Sequence, residues 1–127
     1  MPVRITNVCI DAVDPRAVAG FWAAVLEWEV IEDDDESISL ASPNRDLPQL
    51  DILRVPETKQ VKNRLHLELR ADRSNFVAEI ERLERLGARR VDIGQGPNVT
   101  SVVFADPEGN EFCPLRRTVQ EVLKQMS

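Results

Sequence analysis

Val102 to Phe112 reads VVFADPEGNEF, and the fold turns on how that stretch is parsed. An apolar run enters Asp106-Pro107-Glu108-Gly109-Asn110, which is a turn by composition, and Glu111 to Leu115 leaves it as a closing strand. Working backwards, Thr100 to Phe104 and Arg90 to Ile93 also read as strands. Before them Phe76, Val77, Ile80, Leu83 and Leu86 recur at helical spacing. Asp72 and Ser74 offer caps for that helix, and Gly87 ends it as a left-handed residue would. Leu65, Leu67 and Leu69 alternate with His66, Glu68 and Arg70, the mark of a half-buried strand whose leucines face the helix. The order is strand, helix, three strands.

The first half of the chain has the same order. Ile5 to Val13 alternates, with Val8, Ile10 and Ala12 on one face and Asn7, Cys9 and Asp11 on the other. Asp14-Pro15 opens a helix, because Asp caps well and Pro lacks only an N–H that the first turn does not use. Val18, Phe21, Trp22, Val25 and Leu26 form its apolar stripe. Trp28 to Ile31, Ser37 to Ala41 and Leu50 to Val55 read as strands, and Asp33 to Glu36 (DDDE) as a solvated turn. Glu57 to Asn63 is a polar connector, and Val119, Val122, Leu123 and Met126 make an amphipathic tail helix. The chain is therefore an α+β protein built from two βαβββ modules, a repeat of element order rather than of letters. The modules span about residues 3–56 and 63–117, with a helical tail at 118–127, all within one domain of residues 1–127.

Composition narrows the function classes. The 127 residues are 43% hydrophobic and 30% charged, the balance of a folded globular domain rather than a disordered chain. No apolar run approaches the ~20 residues of a membrane span. The opening MPVRITNVCIDAVD lacks an apolar signal core, and the two cysteines make no disulfide framework, so the expected compartment is the cytoplasm. A net charge of −6 opposes binding to phosphate backbones, so no nucleic-acid partner is expected. A small ligand or another protein remains.

In each module the helix must cover one face of a four-stranded sheet. The opposite faces carry His66, Glu68 and Arg70 in one half and Asn7, Cys9 and Asp11 in the other, with Glu111 and Cys113 from the last strand. Polar groups alternating with core residues point to a wet, ligand-facing surface.

Three stretches carry a resemblance to a known superfamily: TNVCIDAVDPRAVAGFW, RLHLELRAD with its helix ending in LERLGARR, and VVFADPEGNEF. The chain, up to about Arg117, resembles the glyoxalase/bleomycin-resistance/extradiol-dioxygenase superfamily, the vicinal oxygen chelate fold. The resemblance implies two curved mixed sheets around a cleft. In metal-bearing members, first and last strands supply ligands to an ion that holds two vicinal oxygens of the substrate. Carried over by position, these ligand places fall on His66, on Asn7 (a weak ligand), on Cys113 (where such enzymes usually have Glu) and near Leu53, which cannot ligate. His66 and Cys113 are thus the candidate ligands for a divalent ion such as Zn, Ni, Fe or Mn. His66, Glu68 and Glu111 are the candidate catalytic groups; Asn7, Cys9, Asp11, Leu53 and Arg70 would line the cleft.

Two function classes follow from the resemblance. One is a lyase, isomerase or dioxygenase acting on a small oxygenated metabolite. The other is a metal-free protein of the bleomycin-resistance type that sequesters a ligand; Asp11, Glu68 and Glu111 lean towards a cationic one. A third option is a scaffold or vestigial domain with no small ligand, and the two-fold dimers common in the superfamily imply a homodimer. The competing bland readings are a His66 hydrogen-bonded to Glu68 or Glu111, and two cysteines that fill apolar space.

Overall fold

The computed structural model describes residues 2–91 and 102–126. The chain divides into two compact units, Met1–Thr58 and Lys59–Ser127.

The first unit contains β1 (Asn7–Ala12), α1 (Pro15–Leu26), β2 (Glu29–Asp33), β3 (Ser37–Ala41) and β4 (Gln49–Arg54). Its sheet runs β1-β4-β3-β2. β1 pairs β4 in parallel, and the other pairings are antiparallel. The parallel pair requires a crossover, which α1 and its hairpin partners supply. Asp14 caps α1 through Ala17 N, and Pro15 follows at the first helical position. Val18, Phe21, Trp22 and Val25 are buried, against Ile38, Leu40, Leu50 and Ile52 of the sheet. Phe21 and Trp22 meet edge to face at 5.3 Å between centroids. The acidic run is a turn: Asp34 Oδ1 accepts from the amides of Glu36 and Ser37.

The second unit contains β5 (Leu67–Arg70), α2 (Phe76–Arg85), β6 (Arg89–Arg90), β7 (Phe104–Ala105), β8 (Glu111–Leu115) and α3 (Val119–Met126). Its sheet order, β5-β8-β7-β6, repeats that of the first, with β5 and β8 parallel. Phe104 and Phe112 stack in its core at 6.0 Å. Pro114 lies beyond the last described β7–β8 pair, Phe104–Phe112, so its missing N–H interrupts no described pairing on that side.

The Asp106–Asn110 turn is held from within. Asp106, 0% exposed, accepts from the amides of Glu108 and Asn110 and from the Asn110 side chain. Gly109 takes φ +89°, which a side chain would resist.

Several expectations need correction. The leucine alternation outruns the strand: β5 begins at Leu67, and Leu65 is 89% exposed rather than core. The cap of α2 is Asn75, not Asp72 or Ser74. Arg73, at φ +60°, turns the chain so that Asn75 takes the extended conformation before the helix, and its Oδ1 accepts from Ala78 N at 2.9 Å. Ser74 instead donates to Glu79, and Asp72 accepts from Gln120. Of the apolar side of α2 only Ile80 and Leu83 are buried, whereas Val77 is 65% exposed. Thr100 and the end of the Arg90–Ile93 strand lie outside the described residues.

Candidate functional site

The polar face of the second unit is built by register. Parallel pairing sets Glu68 beside Cys113 and Arg70 beside Leu115. Glu111 projects to the same side as Cys113, two residues earlier on β8. His66 immediately precedes β5 and is exposed. Among the described residues its imidazole forms no hydrogen bond, to Glu68, Glu111 or any other group. The Arg70 guanidinium donates to the Arg117 carbonyl at 3.0 Å.

Glu111 is the best-held carboxylate on this face. Lys59 Nζ donates to one oxygen at 2.7 Å and the Asn63 amide to the other at 2.8 Å. The pair is secluded, with the Lys59 side chain 20% and that of Glu111 12% exposed. Burial raises the Glu111 pKa, but the hydrogen bond from Lys59, the Asn63 amide and the Lys59 charge outweigh it, holding the carboxyl below its ordinary value. Nothing local in the polar connector marks Lys59 as the partner of a residue 52 positions away.

The Cys113 thiol moves the other way. Burial pushes its pKa up, the neighbouring Glu68 charge adds to this, and Lys62 offsets part of it. It is a thiol at neutral pH.

On the first unit, Asn7, Cys9 and Asp11 of β1 lie beside Gln49, Asp51 and Leu53 of β4. Asp51 also faces Ser39 of β3. It accepts from Asn7 Nδ2 at 2.8 Å and Gln49 Nε2 at 2.9 Å. Burial raises its pKa, but the hydrogen bonds from Gln49, Asn7 and Ser39 prevail and hold it low. Cys9 is exposed, so it fills no apolar space. Asp51 did not stand out in the sequence, although Gln49 and Asp51 alternate with Leu50 and Ile52 as a polar strand face does.

The two registers also relate the positions. β4 starts at Gln49 beside Asn7. β8 starts at Glu111, one step before the Leu67–Phe112 pair. Counted from those starts, Asn7 corresponds to His66 and Asp51 to Cys113, while Leu53 lies two residues further along the same face.

These donors do not fit a resident divalent ion in either unit. Among the described residues, no group of three or more His, Cys, Asp or Glu is placed to hold one. The carboxylate nearest to Cys113 along β8, Glu111, is occupied by an ammonium.

Two βαβββ units, each a four-stranded mixed sheet with a crossover helix, place the protein in a recognisable class of paired-module folds. The chain belongs to the glyoxalase-like domain family, whose model matches residues 7–115. It is similar to the fosfomycin resistance protein FosX from Listeria monocytogenes, solved with Mn(II) and sulfate: 17% identity, 100% of both chains covered, TM-score 0.72. It is also similar to the oxidase ChaP-H2, at 22% identity over 92% of this chain and 95% of that one, TM-score 0.68. A glyoxalase/bleomycin resistance protein/dioxygenase family enzyme from Burkholderia phytofirmans PsJN matches at 18% identity over 88% and 97%, TM-score 0.60. At these identities the likeness concerns the fold. None of the curated proteins searched matches the chain significantly.

Proposed function

We propose that the protein binds a small oxygenated metabolite through the polar faces of its sheets, without a resident metal ion. The observation that carries this reading is the secluded Lys59–Glu111 pair, which occupies the carboxylate on the same face as Cys113. Where metal-bearing relatives of this fold would offer anionic donors, this chain offers a neutralised carboxylate and a thiol. Such a face still presents hydrogen-bonding groups: Arg70 and His66 as donors, Glu68 as an acceptor. Family membership supports the small-molecule ligand.

Lyase or isomerase chemistry is the second reading, favoured by one observation. The side chains of His66 and Glu68 are both exposed, and neither side chain forms a hydrogen bond among the described residues. Either is available to take or give a proton without a metal.

We further propose a homodimer in the cytoplasm. α3 buries none of its residues, and Leu123 and Met126 are 58% and 78% exposed. β1 and β5 are edge strands of their sheets, and both cysteines are free thiols. No described helix is long and apolar enough to cross a membrane. Light scattering should return twice the 14.4 kDa chain mass; the single-chain mass would overturn the dimer.

Metal analysis of the purified protein tests the main reading. The expected result is far less than one ion per chain, and a melting shift below ~1 °C on adding Zn(II), Ni(II), Mn(II) or Fe(II). A near-stoichiometric ion that is lost on His66→Ala would overturn it.

A further inference from the structure

Residues 55–66 join β4 to β5 without forming a helix or strand. From Lys59 onward this connector belongs to the second unit. It is fastened to the start of β8 and the turn before it. Lys59 Nζ donates to Glu111 Oε2 at 2.7 Å and the Asn63 amide to Glu111 Oε1 at 2.8 Å, so each carboxylate oxygen holds one end of the segment. Asn63 Nδ2 donates to Asn110 Oδ1 at 3.2 Å, and Asn110 is itself bonded to the buried Asp106. The Lys59 alkyl chain passes over Gly109, where an added Cβ would stand 3.9 Å from Lys59 Cδ.

The fastening is polar throughout. Val61 and Leu65 are the only apolar residues from Lys59 to His66, and they are 74% and 89% exposed. Lys62 donates to the carbonyl of its own neighbour, Asn63, at 3.4 Å. Lifting the segment therefore breaks a few hydrogen bonds at one carboxylate and uncovers little core. That is the profile of a piece that opens by itself, well before the domain unfolds.

The segment also lies near the polar face that a ligand would approach. Glu111, its fastening point, shares one side of β8 with Cys113. Cys113 is half-buried, and the Lys62 charge reaches its thiol. We infer that Lys59–Leu65 is a strap, latched by Glu111, whose local opening controls access to the polar face of β8 around Cys113. As a gate for a ligand it rests on the ligand-binding reading above; the opening itself does not.

Two measurements on the full-length protein test the strap. The first is native-state amide exchange in low urea, read at Asn63 and, for the core of the same unit, at Leu83 and Phe104. Asn63 should exchange with almost no dependence on urea, because a local opening exposes little surface, whereas the core amides should show the full dependence. The second is iodoacetamide labelling of Cys113, followed by peptide mass spectrometry with the exposed Cys9 as reference in the same sample. Lys59→Met keeps the alkyl chain and removes the latching ammonium. It should speed both Asn63 exchange and Cys113 labelling about 10-fold, the worth of one charge-assisted hydrogen bond. Ile80→Val loosens the core of the unit and should leave both strap readings unchanged. An Asn63 urea dependence equal to that of the core overturns the inference, and this wild-type result decides even if Lys59→Met does not fold. So does Cys113 labelling that ignores Lys59→Met, or strap readings that follow Ile80→Val. Any of these failures leaves the ligand-binding reading in place, since that reading stands or falls on the metal analysis.

Discussion

The two units share strand order and register but settle their face carboxylates differently. Where β4 begins with Gln49 donating to Asp51, β8 begins with Glu111 clasped by Lys59. One unit holds its carboxylate with neutral amides and forms no ion pair there among the described residues; the other neutralises its charge outright. Their cores differ as well. α1 buries six residues including Phe21 and Trp22, whereas α2 buries only Ile80 and Leu83. The comparison teaches that a repeated scaffold fixes where side chains point while leaving their electrostatics free to diverge.

The largest test of that contrast is in the cores. Trp22→Ala should lower stability by about 4 kcal/mol and Ile80→Ala by about 3 kcal/mol, read from urea midpoints. A larger loss at Ile80 would reverse the ranking of the two helices as anchors.

The carboxylates come next. Glu111→Ala leaves the secluded Lys59 ammonium and the Asn63 amide without their acceptor and should cost about 2 kcal/mol. Asp51→Asn keeps an acceptor oxygen for one of its two amide donors but turns an NH2 towards the other, and should cost about 1 kcal/mol. Equal losses would mean that the neutral amides are as much a structural clamp as the ion pair.

The smallest effect is the most diagnostic. Both carboxyls titrate below their ordinary values when folded, so each adds stability that is complete above the usual carboxylate range. That contribution is lost as pH falls through the folded pKa. The Lys59 charge is part of the cause at Glu111, whereas the donors to Asp51 are neutral. Adding 1 M NaCl should therefore move the Glu111 titration upward and leave that of Asp51 nearly unchanged, as followed by carboxyl 13C NMR. Parallel movement of both would erase the distinction.

Much of this architecture was legible because its signals are local. Asp14-Pro15 announces a helix start, Gly87 a stop, and DPEGN a turn whose own Asp closes it. Alternation assigned the faces of β1 and β8. It failed at Leu65, because period two persists in the letters beyond the last residue that finds a strand partner. Asn75 was overlooked because the left-handed Arg73, rather than composition, decides where α2 begins. The site was harder to read. Glu111 and His66 could be placed by motif, but the partner that determines what Glu111 can do lies in a connector with no pattern of its own. Asp51 became visible only when strand starts gave the register that letters leave uncertain by two residues.

The Asp106 turn also bears on the order of folding. It closes β7 onto β8 within five residues, from Asp106 to Asn110. The β3–β4 connection needs the longer stretch from Ser42 to Pro48, where Ser42 bonds to Asp46. The parallel β5–β8 pair joins Leu67 to Phe112. Short closures carry the smaller entropic penalty, so the β7–β8 hairpin is expected to form first and to serve as the template on which the distant β5 docks. Asp106→Ala should then slow refolding more than it hastens unfolding in a chevron experiment. The fully buried carboxylate that no ligand reaches would be the one that sets the tempo of assembly.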